Sequence, residues 1–467
     1  MPEIRKTKII CTLGPASDSR EVIGKMISAG MDAARLNFSH GGPEEKENRL
    51  NILSAINKAR DRPISIISDL KGPEIRIGTG KQDLEIKISD KINFTLNEKE
   101  IQTKKKPYTV SVNVEKFPKS GQVMVEDGLL EFEIVKSTKT RAECIAKNNG
   151  LLKHNKGVNI PQAGHTGPTF TEKDWKDIEY SVKNNVDFIA ASFVRTGKDV
   201  LELKDFLNRK DVQIISKIEC QEALDNLPDI VKLSDCIMVA RGDLGVDIPI
   251  ETLPSTQYHI VKKCNDLGKP VIVATQMLNS MIENPRPTRA EVTDVANAIY
   301  MGADCVMLSG ETATGKYPVE SVSMMTRIAL SIEKEVRNRI NRYEIKQDDI
   351  YGIVGKAVAM SADSVKADAI VSLTNRGETA KMLSRYRVQS PIYVLTPKPE
   401  VCRFLSLYWG IFAYTVPVVG NVNDITEKGV SFLEEKKKVG KGDNVVITAN
   451  LPTANGGQRN IAEIRKI

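Results

Sequence analysis

Short apolar, β-branched runs alternate with amphipathic stretches along most of the chain. Eight such runs stand at 8–13, 32–38, 64–70, 186–193, 212–219, 235–240, 270–277 and 303–309. Segments with apolar residues three and four apart lie between them, for example at 19–29, 45–59, 198–208, 257–267 and 291–301. That spacing makes one face of a helix, whereas a continuous apolar run of strand length suits a strand buried on both sides. Strands alternating with helices predict parallel pairing, and eight such units predict a closed (β/α)8 TIM barrel. One helix start is spelled out: Pro285 and Pro287 precede Thr288 and Glu291, residues that cap each other's backbone N–H groups.

The helical period disappears between the third and fourth runs. Short alternating runs replace it at 84–88, 92–96, 108–112, 123–125, 130–135 and 142–145, with Gly and Asn turns between them. They predict a small all-β lid domain inserted in a barrel loop. The barrel pattern stops near residue 342, and 341–349 reads as a polar linker. A second strand–helix rhythm follows, with strands at 369–373, 391–395, 411–416 and 444–448, and predicts a C-terminal α/β domain with a mostly parallel sheet. The expected organisation is barrel at 1–73, lid at 74–157, barrel again at 158–342 and C-terminal domain at 343–467.

Composition narrows the function classes. No apolar run approaches the roughly 18 residues of a membrane span. The N-terminus leads straight into a strand pattern with no signal-peptide core, so a cytoplasmic protein is expected. The net charge of +7 suits small anionic substrates. A nucleic-acid binder would concentrate its basic residues and add an aromatic platform or a reading helix. The seven cysteines have no C-x-x-C spacing and read as reduced thiols. The four histidines have no metal-ligand spacing.

Reactive groups of such barrels gather at the C-terminal ends of the strands. There the chain carries Arg35, Asn37, Ser39 and His40; Asp69, Leu70 and Arg76; Lys217 and Glu219; Arg241, Gly242 and Asp243; Thr275; and Ser309 and Glu311. Alternation puts Arg35, Asn37 and Ser39 on one face, and likewise Lys217 and Glu219. Basic side chains, carboxylates and hydroxyls on one rim fit a phosphate-bearing carboxylic acid bound through a divalent metal. Glu219 and Asp243 are the natural Mg2+ pair, since this ion is typically held by one or two carboxylates plus substrate oxygens. The run from Gly310 to Tyr317 imitates a phosphate-binding P-loop, but Tyr stands where the metal-binding hydroxyl belongs, so no P-loop is expected.

These strand ends strongly resemble the pyruvate kinase family. The matching runs include TKIICTLGPAS (7–17), ARLNFSHG (34–41), KGPEIR (71–76), KGVNIP (156–161), AASFVR (190–195), SKIE (216–219), IMVARGDLG (237–245), GKPVIVATQM (268–277), NPRPTRAE (284–291) and MLSGETA (307–313). The resemblance implies transfer of the phosphoryl group of phosphoenolpyruvate to ADP, giving pyruvate and ATP in glycolysis, with Mg2+ (or Mn2+) and K+ as cofactors. By resemblance, Lys217 contacts the transferring group, Arg35 the phosphate, and Thr275 with the backbone at Gly242 the substrate carboxylate. Glu219 and Asp243 hold Mg2+, with Asp243 also beside the substrate. Asn37, Ser39, Asp69 and the Leu70 carbonyl form a K+ site. Asn37, His40, Arg76 and Lys156 contact the nucleotide. A cytoplasmic homotetramer is implied on the same ground alone.

Leu70 stands where many members carry Thr, and Cys220 and Ala223 where Asn and Gly are usual. The turn 374–379 reads equally as a phosphate dock for an effector or as an ordinary strand–helix turn. Two other functions remain to be weighed: a carbon–carbon lyase on the same barrel, which would lack the lid, and an inactive metabolite sensor, which would have lost one of Lys217, Glu219, Asp243 or Arg35.

Overall fold

Eight parallel strands close on themselves: β1 (Lys8–Leu13), β2 (Ala33–Asn37), β3 (Ser65–Asp69), β4 (Phe188–Ala191), β5 (Gln213–Ile218), β6 (Cys236–Ala240), β7 (Val271–Ala274) and β8 (Cys305–Leu308). The computed structural model describes residues 4–80, 82–126, 128–161, 167–208, 211–336, 339, 349–416, 422–452 and 458–467. The expected linker 341–349 therefore lies, apart from Asp349, outside the described residues. Helices pack outside the barrel, and their starts follow the capping logic of the sequence. Thr288 Oγ1 accepts from the Glu291 N–H at 3.2 Å, and Glu291 returns the bond to the Thr288 N–H at 2.7 Å. Glu291 also takes the Ser280 N–H at 2.7 Å, so one carboxylate joins the helix start to the loop before it.

Alternation along the strands sorts residues to two cores. Ile9, Cys11, Ala34 and Leu36 face the helices, while Ile10, Ala33, Ile67, Ile215 and Met238 fill the barrel interior. The next inward position on four of these strands is polar: Thr12, Arg35, Asp69 and Lys217. The site is thus the top layer of the barrel's own interior.

Between β3 and β4 the chain builds a separate seven-stranded sheet in the order Val158–Asn159, Gly121–Val125, Leu130–Ser137, Arg141–Ala146, Lys91–Thr95, Tyr108–Val112, Ile77–Gly78, with a two-stranded sheet beside it. It has its own core, centred on Phe94 and Phe132, whose rings meet edge to face at 5.3 Å.

The C-terminal sheet has the order Ile411–Thr415, Ile392–Thr396, Ala369–Leu373, Asn444–Pro452, Gln458–Lys466. The first four strands are parallel. The last is antiparallel and had not been expected from its polar sequence. Phe404 and Leu407 of this domain lie within the barrel's interior cluster, and the Phe404 ring meets that of Phe188 at 5.9 Å. Ser65 bonds the Arg403 carbonyl and the Ser406 hydroxyl. Arg387, 1 % exposed, donates to Asp304 at 2.9 Å and to Asn265 at 2.9 Å. The N-terminal mouth of the barrel is therefore stoppered by the C-terminal domain.

Lys8 lies in this junction. It is fully buried, donates to the Ile411 carbonyl at 2.5 Å and sits 4.3 Å above the Phe412 ring. Burial pushes its ammonium down from the ordinary 10.5 to about 7, against the pull of Asp32 and with the push of Arg62 and Arg5. The unfolded chain then binds more protons than the folded one between those two values, so stability rises with pH across that window and is lost as pH falls through about 7. The melting temperature is expected to climb from neutral to mildly alkaline pH in the wild type and to climb less in Lys8→Met. Parallel calorimetric profiles for the two proteins would refute this.

Candidate active site

Arg35 and Asp69 form the floor of the site. Strand register places Thr12 beside Arg35 and Asn37 beside Asp69. Arg35 Nε donates to Asp69 Oδ2 at 2.7 Å and its Nη1 to Thr12 Oγ1 at 2.9 Å. On the other side Lys217 Nζ lies 3.2 Å from Asp69 Oδ1 and 2.9 Å from Glu219 Oε1. Burial opposes ionisation of Asp69, but the charges of Arg35 and Lys217 and hydrogen bonds from both outweigh it and hold the carboxyl below its ordinary range. For Lys217 burial is likewise the largest influence and lowers its proton affinity. Asp69, Glu219 and Asp243 together overcome it and raise that affinity above the usual lysine value. Lys217 is thus a fixed ammonium with 12 % of its side chain exposed.

Glu219 is held from one side. Its Oε2 accepts the Phe193 N–H at 2.6 Å, and its buried Oε1 accepts no aligned hydrogen bond. An anchored carboxylate whose other oxygen is engaged only by the Lys217 charge, and Asp243 near enough to act on the same ammonium, suit a hard divalent cation. Among the described residues no three acidic, His or Cys side chains converge as a ligand cage.

The structure departs from the strand reading at several ends. β7 stops at Ala274, short of the expected 277, and Thr275 and Gln276 take left-handed backbone at φ 67° and 52°. Thr275 is therefore placed by a turn and not by alternation. Gly242 and Asp243 lie on a short helix, Arg241–Asp247, that starts where β6 ends. The Gly242 N–H donates to Thr275 Oγ1 at 3.0 Å, joining these two positions. Asn37 and Ser39 are joined through the Ser39 N–H on Asn37 Oδ1 at 3.0 Å. The Leu70 carbonyl accepts from Ser192 Oγ at 2.7 Å.

Arg76 and Lys156 stand apart from this cluster. Arg76 Nε donates to Glu74 Oε2 at 2.9 Å and its Nη1 to the Asn155 carbonyl at 2.8 Å. Lys156 Nζ pairs with Glu126 at 2.6 Å within the lid. Arg76 bridges to Gly157, so both residues lie where the two chain crossings into the lid meet. His40 is exposed on the loop after β2. The segment that imitates a P-loop is instead a brace: Glu311 accepts the Leu278 N–H at 3.0 Å and the Ser309 N–H at 2.8 Å. In the turn 374–379, Thr374 Oγ1 accepts the N–H groups of Arg376 and Gly377 at 3.3 and 3.0 Å, and Gly377 takes φ +80°.

A family model described as the pyruvate kinase barrel domain matches residues 4–322, and one described as the pyruvate kinase alpha/beta domain matches residues 353–465. The chain belongs to the pyruvate kinase family. It is 41% identical over 472 aligned residues to pyruvate kinase of Staphylococcus aureus strain USA300, covering 99% of this chain and 81% of that one. The protein of strain NCTC 8325 gives the same figures. The crystal structure of a pyruvate kinase from Cryptosporidium parvum superposes with a TM-score of 0.92 at 33% identity, covering 99% of this chain and 96% of that chain. Thr12 and Ser192 are pyruvate kinase motif residues that sequence reasoning left out of the site. Thr12 was within reach, because alternation from Ile10 along β1 points it inward, whereas Ser192 lies one residue past the end of β4.

Proposed function

We infer that this chain carries out the pyruvate kinase reaction, moving the phosphoryl group of phosphoenolpyruvate to ADP to give pyruvate and ATP. The observation that carries the residue roles is the convergence of Arg35 and Lys217 on Asp69, with Glu219 on the same Lys217 ammonium. Phosphoryl transfer asks a protein mainly for positioning and for charge where charge develops. Arg35 and Lys217 hold the phosphoryl oxygens, and the Lys217 ammonium offsets the charge that grows on the enolate oxygen as the P–O bond breaks. A carboxylate at Thr275 and Gly242 takes over the N–H that Gly242 now gives to Thr275. Asn37, His40, Arg76 and Lys156 meet the nucleotide as the lid closes and excludes water. Glu219 and Asp243 would hold Mg2+, which would supply positive charge to offset that of the substrate. Pyruvate release from phosphoenolpyruvate, followed with and without ADP, tests the reading. Pyruvate formed equally well without ADP, or none formed with ADP and metal present, would sink it.

Asn37, Ser39, Asp69 and the Leu70 carbonyl offer a set of oxygens with one formal negative charge, suited to a weakly hydrated monovalent cation. Glu74 follows on the loop after β3, where its carboxylate is engaged by Arg76 and lies 3.6 Å from Lys71. The wild type is expected to be far more active in K+ than in tetramethylammonium at equal ionic strength. Glu74→Lys, which places an ammonium near the site, is expected to depend less on K+. Equal wild-type rates in the two salts would refute the ion site.

A cytoplasmic homotetramer completes the reading. The helix Ile350–Ser364 exposes Ile350, Ile353 and Met360 along one side, with Ile464 exposed on the edge strand of the same domain. A second copy of this chain is the partner such a stripe fits, and sedimentation of the full chain checks it. Among the described residues no helix is long and apolar enough to cross a membrane.

A further inference from the structure

Ser192 follows β4 and is 2 % exposed. A serine hydroxyl has one proton to give and two lone pairs to receive. Its proton goes to the Leu70 carbonyl at 2.7 Å, and it accepts from Lys217 Nζ at 2.7 Å. Neither partner lies on its own strand: Leu70 follows β3 and Lys217 is on β5. Of the three acceptors around the ammonium, the hydroxyl is the nearest, with Glu219 at 2.9 Å and Asp69 at 3.2 Å. The two carboxylates supply attraction, which is broad in direction. The hydroxyl, fixed at both ends, supplies direction.

The next residue extends the device. Phe193 adopts left-handed backbone at φ 53°, and this turns its N–H onto Glu219 Oε2 at 2.6 Å. Two consecutive residues therefore hold Lys217 and Glu219, one through a side chain and one through the backbone. Gly72 sits on the outside of this turn. Its φ is +70°, and a Cβ there would lie 2.9 Å from Ser192 Cβ and 2.9 Å from Phe193 Cδ2. Gly72 belongs to the segment that leads from β3 into the lid, and its N–H is tied to Asp174 Oδ1 at 3.1 Å. The lid hinge thus rests on the turn with no spare room.

We propose that Ser192 is the positioning residue for Lys217, and that the lid hinge at Gly72 bears on Lys217 through it. The inference rests on the reading of Lys217 as the charge beside the transferring phosphoryl group. Its test uses the full chain in four variants: Ser192→Ala, Ser192→Cys, Gly72→Ala and the Ala/Ala double. Ser192→Ala is expected to lower kcat by about tenfold or more while the phosphoenolpyruvate KM moves less than about threefold, the split that marks lost transition-state positioning. Mn2+ binding, followed by electron paramagnetic resonance without substrate, is expected to stay within about twofold of wild type, because the Phe193 N–H still anchors Glu219. Ser192→Cys, similar in shape with a weak donor, is expected to lose kcat in the same direction. The double variant is expected to be no worse than the poorer single, since a methyl at Gly72 that displaces Ser192 and the loss of the Ser192 hydroxyl cost the same hold on Lys217.

A Ser192→Ala enzyme with normal kcat, beside an inactive Lys217→Met, overturns the inference and spares the functional reading. Normal kcat in Lys217→Met would overturn the reading beneath it. Loss of Mn2+ binding in step with kcat, or a fully active Cys variant, would make Ser192 a packing residue and overturn the proposal. Additive effects of Gly72→Ala and Ser192→Ala would overturn the link to the hinge.

Discussion

Lys217→Met is expected to lower kcat about 10²–10³-fold while changing phosphoenolpyruvate affinity only a few-fold. Methionine matches the length and packing of lysine but removes the charge. That charge is already in place before the reaction, held by Asp69, Glu219 and Ser192, so using it requires no rearrangement. The phosphate of bound substrate keeps Arg35, and therefore most of its ground-state attraction. The growing enolate charge has no comparable substitute. Steady-state kinetics combined with a direct binding titration separates the two effects. Weakened binding with kcat intact would recast Lys217 as a clamp on the substrate.

Glu219→Gln and Asp243→Asn are each expected to cost several kcal/mol of transition-state stabilisation, about 10²-fold or more in kcat/KM, and to raise the Mg2+ concentration needed for half activity. Glu219→Gln is the harsher change. Its Oε2 already serves the Phe193 N–H, so the charge it offers a metal is concentrated at Oε1, the oxygen that lacks an aligned partner. The amide would also withdraw a counter-charge from Lys217. Mg2+ activation curves and Mn2+ binding measure both effects. Turnover close to wild type at saturating Mg2+ would rule out the assigned pair.

The barrel was legible because its strands are buried on both faces and written as unbroken apolar runs. The central chemistry was legible for a related reason. Along β1, β2, β3 and β5, the inward apolar positions Ile10, Ala33, Ile67 and Ile215 are followed two residues later by Thr12, Arg35, Asp69 and Lys217. Legibility ended where the strands did. Phe193, Thr275 and Gln276 have left-handed backbones without the glycine that usually announces one. Gly242 and Asp243 sit on a helix that an apolar strand runs into without a break. Thr12 lay on the right face and Ser192 one residue beyond its strand, but a neutral hydroxyl carries no signature until its partners are placed. The antiparallel strand Gln458–Lys466 is rich in charge and has little apolar alternation to reveal it. Arg387 was equally silent, since nothing in a sequence marks an arginine as buried.

The stopper formed by Phe404 and Leu407 bears on modularity. A barrel usually closes its own lower end with side chains from its own strands. Here the interior cluster is completed by two residues supplied from across the linker, and Lys8, Ser65 and Cys305 at the strand starts all bond to that same partner. Cut at the linker, the barrel would carry an open apolar well and a lysine stripped of its Ile411 and Phe412 contacts, while the C-terminal domain would present Phe404 to water. The two halves that family models recognise separately are therefore not interchangeable parts. Each half hides apolar surface that only the other covers, so the two are expected to hold their structure together and to lose it when parted.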